Sequence, residues 1–191
     1  TVTWAAREIF AAYALALGPK GDFRRLSALD PRVKMALVDL REYMAQISVP
    51  RDKPAEAAAF AALMHQADHL VRLIEQAKHH SFIPVLNHDA ITRRPAKWFA
   101  ACLSPDRALE LTEIGQHIAR MTDPVKRRFA QHRRGLLLGE HAGIYAVQDT
   151  FQATDGMRWL TRILPNVQRI GEYDQQVRET LGHAKLPRPS A

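Results

Sequence analysis

The segment FAALMHQADHLVRLIEQAKHH, residues 60–80, decides the fold of this chain. Its apolar residues recur at alternating steps of three and four positions, which places them on one stripe of an α-helix. They are Phe60, Leu63, Ala67, Leu70, Ile74 and Ala77. Such a stripe is the seam along which helices pack side by side in a bundle. On the opposite face, Asp68 and Arg72 are four residues apart and are predicted to form an ion pair that supports the helix.

Helical patterns extend from this segment in both directions. Alanine and leucine dominate the aliphatic residues and β-branched runs are scarce, which favours helix over strand. Pro, Gly and Asp residues that start or end helices delimit predicted helices over about 2–17, 31–47 and 54–80, with a short helix near 23–26. Towards the C-terminus we predict a helix that starts near 96 or 104, another opened by Asp123-Pro124, and a third over about 144–181, kinked by Pro165. The sequence therefore predicts an all-α fold.

Residues 81–97 interrupt the helical pattern with two prolines and three Lys/Arg residues. We predict that they form an ordered loop linking two three-helix bundles. The first bundle would span 1–80 and the second 98–182. Residues 183–191 are predicted to be a disordered tail.

Composition and charge exclude several classes of protein. The single Cys102 excludes an internal disulfide and a thiolate metal cluster, and its apolar surroundings predict burial. No apolar run reaches the roughly 18 residues that a membrane-spanning helix needs. The sequence has no Gly-rich phosphate loop and no nucleophile elbow, so we do not expect an enzyme. A net charge of +7 favours an anionic neighbour.

The densest basic patch consists of Lys126, Arg127, Arg128, Arg133 and Arg134. On a helix, part of this patch is contiguous, and each basic residue near anionic lipid contributes about 1 kcal/mol. We predict contact with lipid or another anion here; a solvated face is the alternative. The patch lacks interleaved aromatic residues, so nucleic-acid binding is not expected.

His65 and His69 are four residues apart on the long helix, a spacing that suits zinc. The alternative is that both are polar residues flanking a packed helix. Position 66 is Gln, so the H-E-x-x-H arrangement of metalloproteases is missing. The three tryptophans are predicted to anchor the core. They are Trp4, Trp98 and Trp159.

Two six-residue segments share the pattern apolar-x-Arg-apolar-x-Glu. They are LVRLIE at 70–75 and VQRIGE at 167–172, each late in the last helix of its half. This placement indicates an internal duplication. Glu75 and Glu172 are predicted to pair with arginines on neighbouring helices, with a ligand role as the alternative.

These segments resemble the L-E-R-I-G-D signature of the PhoU family, whose members are two tandem three-helix bundles. The chain is more similar still to the PhoU-like domain at the cytoplasmic end of bacterial Na⁺/phosphate cotransporters. Residues 63–73 match that domain's L-M-H-x-x-D-H-L-x-R-L segment, and residues 158–162 match its R-W-L-x-R segment. The resemblance covers nearly the whole chain.

The resemblance implies a metal site, but this sequence lacks half of the acidic ligands that such a site would use. PhoU proteins hold metal ions with an E-x-x-x-D pair in each repeat, but the first acid is replaced here by Val71 and by Gln168. One carboxylate per repeat is a poor donor set for a divalent cation. We therefore expect no cofactor, and keep a divalent metal as the alternative. Its candidate ligands are Glu75, Glu172, His65 and His69.

The resemblance further implies a non-catalytic regulatory or structural module of a Na⁺-coupled phosphate transporter, on the cytoplasmic side of the inner membrane. The implied partner is the membrane-embedded part of the parent chain or an associated transport protein. Anionic lipid and a second copy are further expected partners. Two alternatives stay open: a free-standing PhoU-like regulator that binds a transporter or a kinase, and a metal-binding helical-bundle protein.

Overall fold

The computed structural model describes residues 1–29, 31–49 and 52–184, with the backbone alone for 183 and 184. Within these ranges the chain forms α-helices and one 3₁₀ turn, with no strand. The helices are α1 (Val2–Leu17), α2 (Arg24–Ser27), α3 (Pro31–Gln46), α4 (Pro54–Ala77), α5 (Phe82–His88), α6 (Ala90–Leu103), α7 (Leu111–His141) and α8 (Val147–Ala184), and the 3₁₀ turn is Pro105–Arg107. The prediction of an all-α fold is confirmed.

The ordered loop predicted for 81–97 is wrong, because α5 and the first half of α6 occupy this stretch. Pro84 lies in the first turn of α5, where its missing N–H costs nothing. Asp89 caps α6, since its Oδ1 accepts the backbone N–H of Ile91 at 2.7 Å. The division into two bundles around this stretch stays a prediction.

Asp123-Pro124 is likewise not a helix start, because α7 runs through it without a break for 31 residues. Pro124 has no N–H to donate to the preceding turn, and its ring crowds that turn. Ile118, Val125 and Phe129 continue one buried stripe on both sides of the proline. Packing of this stripe outweighs the local cost of the proline.

The predicted tail 183–191 begins inside a helix, because α8 extends through Ala184. Residues 185–191 lie outside the described residues. No helix in the described part of the chain combines the length and apolar character needed to cross a membrane.

Helix α8 is the central element of the fold and packs along both α4 and α7. Helix α1 packs against α4 and α6. Trp159 on α8 is 2% exposed, and its indole N–H donates to the Gln76 carbonyl at 2.9 Å. Its ring centroid lies 6.3 Å from that of the buried Tyr13 on α1. These contacts join α1, α4 and α8 in one hydrophobic core.

The three tryptophans do not have equal roles. Trp159 is buried as predicted, and Trp98 is half-buried. Trp4 is 40% exposed, so its prediction as a core anchor is wrong. It lies between the buried positions Val2 and Ala5 and outside the stripe that α1 turns towards the core.

Two glycines let α7 and α8 touch through their backbones. A Cβ built on Gly171 would lie 2.6 Å from the Cα of Gly115 and 2.6 Å from the Leu111 carbonyl oxygen. One turn further along α8, Asp174 accepts a hydrogen bond from Thr112 Oγ1 at 3.0 Å. The two helices therefore form an antiparallel hairpin and are in backbone contact at this glycine pair.

Tyr13 should make the fold sensitive to alkaline pH. Its hydroxyl donates to the Leu73 carbonyl at 2.7 Å, and burial raises the pKa of this phenol far above its usual range. The folded chain keeps the proton, whereas the unfolded chain releases it near pH 10. The contribution of the neutral phenol is thus fully present below about pH 10 and is lost at up to about 1.4 kcal/mol per pH unit above it.

Chemical denaturation between pH 8 and 12 measures this loss. Tyr13→Phe should be less stable than the parent at pH 8 by about 1 kcal/mol, the net value of one hydrogen bond. Its stability should then fall less steeply above pH 10. Equal slopes for the two proteins would contradict the assignment.

Candidate functional site

The two similar segments found in the sequence come together on the surface between α4 and α8. They lie beside a groove of about 520 Å³. Arg72 and Glu75 from the first segment and Arg169 from the second line this groove. Arg162, two turns before Arg169 on α8, lines it as well, so the groove carries three arginines.

The ion pairs beside this groove form within single helices. Arg72 contacts Asp68 at 2.7 Å, which confirms the predicted ion pair. Glu75 pairs with Lys78 at 2.5 Å. Glu172 pairs with Arg169 at 2.8 Å. The prediction that Glu75 and Glu172 pair with arginines on neighbouring helices is therefore wrong.

His65 and His69 pack α4 against α8. Their ring centroids lie 5.1 and 5.8 Å from the ring of Tyr173, and both are stacked on it. His69 Nδ1 also lies 2.8 Å from Asn166 Oδ1. Nearby, Gln66 Nε2 donates to the Ile170 carbonyl at 3.3 Å. These contacts give the histidine pair a structural role in the α4–α8 interface.

A metal at these histidines stays a prediction, and the donor set fits it poorly. Within 1–29, 31–49 and 52–184, no three His, Cys, Asp or Glu side chains form a group that could hold an ion. A closed zinc site needs four ligands, and a catalytic one needs three from the protein. His65 and His69 supply two, and Glu75 and Glu172 are engaged in ion pairs.

The basic patch on α7 is exposed, but it is not one site. Arg127 and Arg128 line a groove of about 880 Å³ between α6 and α7. Lys126 and Arg133 line a separate cleft of about 330 Å³ between α7 and α8. Arg134 is exposed and lines neither. The patch therefore presents positive charge in two directions around α7.

No family model, curated protein or solved structure matches this chain.

One close contact was missed at the level of sequence. His132 on α7 is 12% exposed, and its Nε2 lies 2.6 Å from Asp89 Oδ2 without hydrogen-bonding alignment. His132 lines both the α6–α7 groove and a second cavity of about 670 Å³, and Asp89 lines the second cavity. Asp89 is readable as a helix cap, but its partner is more than 40 positions away in sequence, so only the fold reveals the contact.

The lone cysteine is not equipped for nucleophilic chemistry. Cys102 is 1% exposed, which confirms the predicted burial, and this burial raises the pKa of its thiol. Its thiolate form is therefore disfavoured and its sulfur is shielded from a substrate.

Proposed function

We propose that this chain is a non-catalytic PhoU-like module that regulates or stabilises a Na⁺-coupled phosphate transporter on the cytoplasmic side of the inner membrane. The observation that carries the proposal is how corresponding helices meet. Helix α1 of the first predicted half packs on α6, which begins in the predicted linker and ends in the second half, and the last helices of the two halves, α4 and α8, pack on each other. Two copies of one unit related by a twofold axis would pack in this way.

The direction of α4 and α8 supports the same proposal. His65 meets Tyr173, and Gln76 meets Trp159, so the two helices run antiparallel. Equivalent elements next to a twofold axis also run antiparallel. The repeated segments at 70–75 and 167–172 lie on either side of this contact.

In the proposed mechanism the bundle docks beneath the membrane-embedded part of the transporter and biases its transport cycle. The basic residues of α7 would face anionic lipid or acidic protein. A second copy of the chain is a further candidate partner. No cofactor enters this proposal.

Removal of residues 1–191 from a parent transporter tests the proposal. We expect altered Na⁺-dependent phosphate uptake, or loss of its response to external phosphate, because the docked module would no longer bias the cycle. The measurement is radiolabelled phosphate uptake at matched expression in the membrane. Unchanged uptake and unchanged regulation would contradict the proposal.

A pair of surface variants makes this test sharper. Arg127→Gln/Arg128→Gln removes two exposed charges from α7, and Lys34→Gln/Arg41→Gln removes two from exposed positions on α3. Phosphate uptake, or its response to external phosphate, should change in the α7 variant and not in the α3 control. Membrane segments encoded upstream of Thr1 distinguish the fused module from the free-standing regulator.

A further inference from the structure

The turn between α7 and α8 exposes a cluster of large apolar side chains. Its members are Leu137, Leu138, Ile144, Tyr145, Val147 and Phe151, each between 45% and 71% exposed. We call this cluster the hairpin tip. All residues from 141 to 149 are exposed, so no other part of the described chain covers the turn.

Backbone hydrogen bonds hold the hairpin tip in a defined shape. The N–H of Ile144 donates to the Gly139 carbonyl at 2.8 Å, and that of Gly143 donates to the Glu140 carbonyl at 2.9 Å. Gly143 adopts a φ of 72°, which a glycine tolerates without strain. The Tyr145 ring lies directly against Gly139, where a Cβ would displace it. The apolar side chains are therefore presented on an ordered turn.

Two exposed stripes of α7 lead from basic residues to the hairpin tip. Lys126, Arg133 and Leu137 share one helix face by their spacing of seven and four. Arg127, Arg134 and Leu138 share the next face with the same spacing. In each stripe the last arginine precedes the leucine by four residues, or about 6 Å along the helix axis.

We propose that the hairpin tip inserts into the interfacial layer of an anionic membrane. Apolar side chains at such sites enter about 5–10 Å into the boundary between headgroups and acyl chains. With Leu137 and Leu138 at that depth, Arg133 and Arg134 lie about 6 Å higher, at the level of the phosphates. The same two stripes thus supply both the apolar and the electrostatic part of the contact.

Charge and shape favour lipid over a second copy of the chain or another protein as the partner that covers the hairpin tip. From 126 to 151 the chain carries five Lys/Arg residues, all within 126–134, and two acidic residues, Glu140 and Asp149, which lie at the tip end. A second copy would bring two such basic surfaces together, which like-charge repulsion opposes. A projecting apolar turn needs a concave pocket on a protein partner, whereas a bilayer accepts it without one.

This inference extends the lipid contact proposed for α7, but its test uses the purified chain and does not depend on attachment to a transporter. The experiment is co-sedimentation of the 191-residue chain with vesicles of phosphatidylcholine, alone or mixed with phosphatidylglycerol. We expect binding to the mixed vesicles and little binding to pure phosphatidylcholine. Leu138→Gln/Phe151→Gln should weaken the partition coefficient about tenfold or more, since each change removes a large apolar side chain from the contact. Arg133→Gln/Arg134→Gln should weaken it by about fivefold per charge.

Met35→Gln/Val38→Gln is the matched control, because these two side chains are exposed to 62% and 52% on α3. This variant should bind vesicles as the parent does. Circular dichroism checks that all variants keep their helix content, and Ile144→Gln/Val147→Gln provides a second tip variant if one pair misfolds. Absence of vesicle binding, or equal loss in the control, would overturn the proposal. So would a dimer in sedimentation equilibrium that the tip variants dissociate, since the occupant would then be a second copy.

Discussion

Replacing Gly171 with leucine should lower the free energy of unfolding by about 3 kcal/mol, at the upper end of the usual cost of overpacking. The new Cβ would lie 2.6 Å from both the Cα of Gly115 and the Leu111 carbonyl oxygen. Both are backbone atoms, so relief requires that α7 and α8 move apart. That movement would also disturb the hydrogen bond between Thr112 and Asp174.

Urea denaturation followed by circular dichroism measures this effect. Gly135→Ala on α7 and Gly182→Ala on α8 are matched controls, because a Cβ at either position meets no atom within 4 Å. Gly135→Ala should stabilise the chain by about 0.5–1 kcal/mol, since alanine favours helix over glycine, and Gly182→Ala, near the end of α8, should stabilise it by less. Destabilisation of the controls to the same extent as Gly171→Leu would show that the close approach of the two helices is not the cause.

Trp159→Ala should cost about 3–5 kcal/mol, the range for removing a large aromatic side chain from a packed core. The indole is 2% exposed and packs near Tyr13 and Phe82, at centroid distances of 6.3 and 6.5 Å. Its loss would leave a cavity where α1, α5 and α8 meet and would remove a donor from the Gln76 carbonyl.

Two further variants separate volume from hydrogen bonding at this position. Trp159→Phe keeps an aromatic ring but loses the N–H, so its cost should be well below that of alanine. Trp4→Ala, at a side chain that is 40% exposed, should change stability by no more than about 0.5 kcal/mol. Circular dichroism is the proper probe, because each variant alters the intrinsic fluorescence. A cost for Trp4→Ala equal to that for Trp159→Ala would contradict the assignment of the core.

The helical class and most helix positions could be predicted from the sequence, because strong apolar periodicity is a local signal. Ala67, Leu70, Ile74 and Ala77 are buried as the seam of α4 predicts. The wrong helix boundaries occur where a local start or stop signal in the sequence is outweighed by tertiary packing. Pro124 reads as a helix start, yet the buried residues around it keep α7 continuous.

The candidate site was predicted only where its contacts are local. Asp68 and Arg72 lie one turn apart, and their ion pair is confirmed. The predicted pairing of Glu75 with an arginine on another helix was wrong, because Lys78 is within reach on the same helix. The contact of His132 with Asp89 depends on how α7 packs against the start of α6, which no local pattern specifies.

The close approach of Gly115 and Gly171 also sets the axial register of α7 against α8. A Cβ on either glycine would meet the backbone of the other helix, so the contact needs a residue without a side chain on both sides. Sliding one helix by a turn, about 5.4 Å, would bring a side chain into this contact and force the two backbones apart. The glycine pair therefore selects one alignment of the two helices along their whole length.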